Sequence, residues 1–323
     1  MPRVHFFTVK DAVMAPRGKR DIAQEITDII VARIEEGVAP WKRPWRSFGG
    51  GRPRRALGQA YTGINSLLLW AIADCQGYNS QYWMTRKQAQ ELGGTVRRGE
   101  PSSPSIYFNT FTKAGQPTLT GEGGPITIRF MRSYSVFNCD QIDGLPAHYY
   151  PQPMAHQQAE PSRRQAAIDA FFSPIPIEIR HGGNRAFYSP GGDYVQMPPK
   201  ANFLTGDHHA TTLAHELAHA TGAAHRLGRE FGRRFADKAY AFEELVADIT
   251  AGIVCSDLGL PPELHDNHAS YVSGWLTILK GDKSAIITAA AKAEQAYRWL
   301  SAWSINEPAE TVEGDRVPAA VAA

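Results

Sequence analysis

Thr211-Thr212-Leu213-Ala214-His215-Glu216-Leu217-Ala218-His219-Ala220 is the stretch that decides how the C-terminal half is read. Two histidines four residues apart on a helix stand one turn apart on one face, where both imidazoles reach a single ion. Glu216 follows the first of them and lies beside that face. Its carboxylate is placed to take a proton from a water that the ion has made acidic. The flanks Leu213, Ala214, Leu217, Ala218 and Ala220 carry no charge. A buried helix has little structural reason to turn two histidines and a glutamate inward. The bland alternative is a solvated helix whose His and Glu merely face water. The spacing favours a metal centre with one Zn2+ per chain, His215 and His219 as ligands and Glu216 as general base.

Catalytic zinc takes three protein ligands and leaves the fourth position to water. Two residues compete for the third place. The stretch continues through Gly222 to His225, which completes the string HExxHxxGxxH of the metzincins. Those enzymes also carry a methionine turn downstream, and the last methionine here is Met197, upstream of the motif. The second candidate lies in Phe242-Glu243-Glu244-Leu245-Val246-Ala247-Asp248. Glu244 and Asp248 share a helix face. The pair resembles the thermolysin-like gluzincin pattern, a glutamate ligand followed four residues on by an aspartate that holds a zinc-bound histidine from behind. Glu244 is preferred and His225 stays open. Glu243 is the weaker option, because it points about 100° away around the helix.

Working outward, four helices read at about 205–224, 238–258, 262–281 and 283–303, preceded by a helix over 164–172 and short strands at 175–179, 186–188 and 194–197. Residues 186–198 read as a hairpin. Zincins lay extended peptide along such an edge, although plain scaffold fits equally well. In the N-terminal half, Ile22, Ile26, Ile29, Ile30 and Ile34 recur at helical spacing, with Gly37 at the C-cap position. Ile64 to Ala73 and Thr85 to Leu92 follow as helices, and 106–112 and 126–137 as strands. The expected fold class is therefore α+β: a small N-terminal α+β domain over 18–145, a Pro-containing linker over 146–164, and a mainly helical domain with a small antiparallel sheet over 165–305. Residues 306–323 read as a disordered tail.

The 323 residues are 43% hydrophobic and 20% charged, ordinary values for a soluble globular protein. No apolar run is long enough to span a membrane, and the N-terminus lacks the apolar core of a signal peptide. Three scattered cysteines with no CxxC pair exclude a zinc ribbon and fit a reducing cytoplasm. The net charge of +2 is unevenly placed: residues 1–140 hold 19 Lys and Arg against 11 Asp and Glu, and the remainder 15 against 21. A basic module draws in polyanions. The strongest candidate is Trp41-Lys42-Arg43-Pro44-Trp45-Arg46-Ser47-Phe48 and, after three glycines, Arg52-Pro53-Arg54-Arg55. Cations hold phosphates and aromatic faces stack unpaired bases, which is a recipe for sequence-independent single-strand binding. Arg86 and Lys87, with Arg97 and Arg98, would extend the patch. The alternative is that the tryptophans pack on the first helix and the arginines are simply solvated.

Taken together, Tyr61-Thr62-Gly63-Ile64-Asn65, Trp83-Met84-Thr85-Arg86-Lys87-Gln88, Val96-Arg97-Arg98-Gly99-Glu100, the His215–His219 stretch, Arg226-Leu227-Gly228-Arg229 and Tyr240-Ala241-Phe242-Glu243-Glu244 resemble the ArdC-type antirestriction proteins, over roughly residues 18–305. That family shares its N-terminal domain with TraC-type plasmid primases. The resemblance implies an N-terminal domain that binds single-stranded DNA, a zincin-like metallopeptidase domain with a protein substrate, and protection of incoming plasmid DNA from restriction. Two rivals remain. One is a DNA-coating protein whose metal is structural. The other is a metal-dependent nuclease, which usually wants carboxylate-bound or paired ions rather than two imidazoles on one ion.

Overall fold

A computed structural model describes residues 21–42, 51–113, 126–150, 161–231, 238–260 and 268–304. Arg43, Trp45, Arg46, Phe48 and the expected tail over 306–323 lie outside the described residues. The chain is α+β. Helix α1 (Ile22–Glu35) opens under Asp21, whose side chain accepts the Gln24 amide, and buries Ile26, Ile29, Ile30 and Ile34. Helix α2 (Ile64–Gln76) is apolar on most of its surface and ends on Gly77 in the left-handed conformation. Helix α3 (Arg86–Glu91) starts with a reciprocal capping box between Thr85 and Gln88.

Strands β1 (Arg54–Arg55), β2 (Tyr82–Met84), β4 (Ser103–Lys113) and β5 (Ile126–Asn138) form one sheet in the order β1-β2-β5-β4, and β3 (Thr95–Val96) pairs with β6 (Ile142–Asp143). The β4–β5 ribbon is antiparallel from Ser103 opposite Val136 to Lys113 opposite Ile126. A short 3-10 turn at Ala147–Tyr149 buries Tyr149, and helix α4 begins at Pro161 (Pro161–Phe172). Both ends of the expected 146–164 linker are thus built into the fold.

Strands β7 (Glu178–His181), β8 (Phe187–Ser189) and β9 (Tyr194–Met197) form a second sheet, ordered β7-β9-β8. The hairpin β8–β9 is antiparallel as its turn residues imply, but β7 runs parallel to β9. The sheet is mixed rather than antiparallel, because the segment 182–186 carries the chain to the far edge before the hairpin returns to the middle. Helices α5 (Gly206–Thr221), α6 (Lys238–Asp257), α7 (His268–Gly281) and α8 (Ala285–Ser301) complete the chain.

The largest apolar core does not respect the halves read from sequence. It joins Ile26, Leu67, Leu68 and Trp83 to Leu245, Ile249, Trp275 and Ile286. A second core gathers α4, the mixed sheet, α5 and part of α6, and a third lies between α3, β5 and β6. Helix α6 packs on α5, α7 and α8. It is buried over most of its length, which is why its few polar residues carry so much information.

Candidate metal centre

Helix α5 begins at Thr205, whose hydroxyl accepts the His208 amide. About two turns beyond His208 it presents His215 and, one turn further, His219 to α6. Their Nε2 atoms lie 3.1 Å apart. From α6, Glu244 brings Oε2 to 3.4 Å from His215 Nε2 and Oε1 to 3.6 Å from His219 Nε2. A tetrahedral ion with bonds of about 2.05 Å places its ligand atoms about 3.3 Å apart. The three observed separations bracket that edge. Among the described residues, His215, His219 and Glu244 are the group of His, Cys, Asp and Glu side chains that converges closely enough to hold an ion.

His225 is placed elsewhere. It sits past the end of α5, 61% exposed, with Nε2 3.2 Å from Asp193. Glu216 is buried beside the pair, on the same turn as His215.

Each converging side chain has a partner behind it, and all three partners come from α6. Asp248 Oδ1 lies 3.9 Å from His215 Nδ1. Glu243 Oε1 lies 3.3 Å from His219 Nδ1. Tyr240 hydrogen-bonds Glu244 and meets the Tyr271 hydroxyl at 3.3 Å. Carboxylates behind imidazoles fix the ring orientation and leave Nε2 with its lone pair outward. Tyr240, Glu244 and Asp248 follow one another at intervals of four, and Glu243 occupies the adjacent position. The sequence makes Glu243 the weaker ligand option and gives Tyr240 no role. The cue available was four polar residues at helical spacing in an otherwise apolar helix.

Glu243 is itself locked. Arg229 donates to both its oxygens, from Nε at 2.9 Å and Nη2 at 2.8 Å. The same guanidinium donates to the Ala218 carbonyl and the Thr221 hydroxyl, while Arg226 donates to the Ala220 carbonyl and, in bidentate fashion, to Asp193. Two arginines therefore satisfy the open carbonyls at the end of α5, and one of them also braces the site.

The cluster holds a demand for positive charge. Burial opposes ionisation of His219, but the hydrogen bond it donates to Glu243 and the charges of Glu244, Glu216 and Glu243 outweigh it and push the imidazole up to about 9. Burial raises Glu244 and Glu243, but the facing histidines, with Arg229 in the case of Glu243, bring both carboxyls below their ordinary range. A divalent cation between the three ligand atoms meets the same demand, so the donor set fits a metal in distance and in charge.

The residues expected to bind DNA are treated unevenly. Trp41 is not a stacking platform: it is 0% exposed, and its Nε1 donates to Asp248 Oδ2 at 2.8 Å. Arg52 is not a phosphate contact: it is 5% exposed and held between Glu294 and Asp257. Both were lost to the surface because acids on distant helices satisfy them. Lys42 has its backbone in a 3-10 turn, with its side chain outside the description. Arg54 is exposed, Arg55 lies over the Tyr61 ring, Arg86 over Phe137, and Lys87 faces solvent near Glu91.

Comparison with known proteins gives a separate family match for each half of the chain. Residues 166–292 match the family model of a zincin-like metallopeptidase, and residues 20–137 that of the N-terminal domain of the anti-restriction factor ArdC. The chain is 36% identical over 305 residues to the uncharacterized protein y4eC of Sinorhizobium fredii, covering 93% of this chain and 97% of that protein. It is 34% identical over 306 residues to the DNA primase TraC of Escherichia coli, covering 88% of this chain and 27% of the primase. The likeness to the primase thus takes in the metal-centre half as well. Crystal structures of the antirestriction ArdC protein from the R388 plasmid, metal-free and Mn(II)-bound, match at 41% identity with TM-scores of 0.75 and 0.73, covering 90% of this chain and 100% of theirs.

Proposed function

We propose, from the premise that this chain belongs to the ArdC family of antirestriction proteins, that it binds single-stranded DNA without sequence preference and carries a zinc metallopeptidase centre, protecting incoming DNA from restriction in the cytoplasm. The observation that carries the metal reading is the convergence of His215, His219 and Glu244 within ligand distance of one ion. A bound Zn2+ would polarise a carbonyl and acidify water. Mn(II) is the ion named for the solved relative, and imidazole with carboxylate accommodates either. Glu216, buried beside the histidine pair, would accept a proton from water and pass it to the leaving amine. Asp248, Glu243 and Tyr240 hold the ligand side chains in place. Helix by helix, the site is prearranged before substrate arrives.

The DNA surface is assigned to the N-terminal half, residues 18–145, through Arg54, Arg55, Arg86 and Lys87, with Lys42, Arg43, Trp45 and Arg46 of the basic aromatic stretch. The peptidase unit is assigned to 165–305. No helix of the described residues is long and apolar enough to cross a membrane.

The deciding experiment measures metal content and peptide cleavage in the full chain. One ion per chain, lost in His215→Ala and Glu244→Ala but kept in His225→Ala, supports the ligand set. Loss in His225→Ala with retention in Glu244→Ala overturns it. The burial of His215, His219, Glu216 and Glu244 favours a second reading, a DNA-coating protein with a structural ion. Glu216→Gln separates the two. Loss of cleavage and of DNA protection with metal retained supports catalysis, and undiminished protection supports coating.

A further inference from the structure

Asp248 faces two ways. Its Oδ1 lies toward His215 Nδ1 at 3.9 Å, and its Oδ2 accepts a hydrogen bond of 2.8 Å from the indole of Trp41, a residue 207 positions earlier in the chain. Both groups are buried, so neither oxygen can turn to water for compensation.

Trp41 is seated with unusual closeness. One turn beyond Asp248 on the same face of α6 stands Gly252, where a Cβ would lie 2.6 Å from the Trp41 carbonyl oxygen and 3.0 Å from its Cβ. The absence of a side chain at 252 lets the 3-10 turn Pro40–Lys42 press its backbone onto the helix. The indole then meets Trp275 edge-on, with centroids 6.0 Å apart. Glu244, Asp248 and Gly252 therefore form one stripe: a metal-facing carboxylate, the carboxylate behind His215, and the gap that admits Trp41.

We infer that Trp41 is a positioning residue of the metal centre, so that the N-terminal half completes a site whose ligands all lie in the C-terminal half. This rests on the metal reading above. Without the indole N–H, Asp248 Oδ2 loses a buried hydrogen bond and the carboxylate is less firmly held. Its rotation loosens the ring of His215. The segment that follows Trp41 is the basic stretch, so the two activities proposed for this family member meet at one residue.

The test is Mn(II) affinity of the full-length protein, measured by titration in wild type, Trp41→Phe, Asp248→Asn and the double variant, with metal-free thermal unfolding on the same samples. Phenylalanine keeps the aromatic contact with Trp275 and removes the N–H. Partners behind metal ligands typically contribute on the order of 10- to 100-fold in affinity, and Trp41→Phe is expected to weaken Mn(II) binding by about 10-fold. The double variant should bind no more weakly than Asp248→Asn alone, since Trp41 acts through Asp248. Gly252→Ala, which retains the indole but displaces it, should also weaken binding if Trp41→Phe folds poorly. Wild-type affinity in Trp41→Phe, or effects of the two substitutions that multiply, would overturn the inference while leaving the metal reading intact. A wild-type protein that takes up no ion at all would overturn both.

Discussion

His219 sits among Glu243, Glu244 and Glu216, and its proton and a metal ion compete for the same negative field. In the metal-free protein its imidazole is held at about 9, above the ordinary value of 6.5. A raised folded value means that the stability gained by protonation is complete below about pH 6.5 and is lost as pH rises through about 9. The melting temperature of chelator-treated protein should therefore fall across that window, and protein saturated with metal should not show the fall. Metal affinity should rise over the same window as the competing proton leaves. Calorimetry with and without chelator reads both; a flat metal-free profile would remove His219 as the titrating group. Arg229 gives a second expectation at this scale. Replacing it with Met leaves Glu243 as a buried carboxylate without its guanidinium. Loss of one partner of a buried pair costs about 3–5 kcal/mol, which urea denaturation would register as a lower midpoint with an unchanged slope.

Helix α6 shows both what was legible in the sequence and what was not. Its apolar residues announced burial, and Glu244 and Asp248 could be singled out because four-residue spacing puts them on one face. Glu243 points to an adjacent position, and only the packed structure shows that His219, one turn along α5 from His215, looks that way. The long helices were readable for the same reason: periodicity accumulates over many residues. Strands β1, β2, β3 and β6 span two or three residues each and offer no period to detect. The parallel pairing of β7 with β9 depends on a crossover, which local pattern does not encode. Gly252 tests the element directly. In an open helix, Gly→Ala is favourable by roughly 1 kcal/mol. Here the new methyl group would collide with the backbone of Trp41, and overpacking of this kind costs about 1–3 kcal/mol. Gly252→Ala should thus lower stability, against its helix propensity. A stabilised variant in thermal melts would show that the Pro40–Lys42 turn yields easily.

At the scale of the molecule, Trp41 and Arg52 were misplaced on the surface by sequence reading for a common reason. A tryptophan or arginine in a loop rich in Pro, Gly and Arg looks solvated until its partner is known, and the partners are Asp248, Glu294 and Asp257, about 200 residues or more away along the chain. These contacts, with the core that joins α1 and α2 to α6, α7 and α8, make the halves mutually dependent. Arg52 adds a polar tie: it donates to Glu294, which also accepts the Gly63 amide, and its guanidinium lies 4.1 Å from the centre of the Tyr297 ring. Splitting the chain between residues 145 and 165 would uncover Leu67 and Leu68 on one side and Leu245, Ile249 and Trp275 on the other. Buried apolar side chains of this size contribute about 1.5–3 kcal/mol each when they leave water. The deficit is comparable with the roughly 5–15 kcal/mol by which domains are typically stable. Full-length protein should therefore unfold in one calorimetric transition, with its calorimetric and van't Hoff enthalpies in agreement. The isolated fragment 165–305 should bind a hydrophobic dye and lack a cooperative melt. Arg52→Met should lower the single transition without splitting it, because it weakens a contact within one cooperative unit. Two separate transitions in the wild type, or a fragment that melts cooperatively on its own, would mean that the shared core contributes little and that the metal centre is autonomous after all.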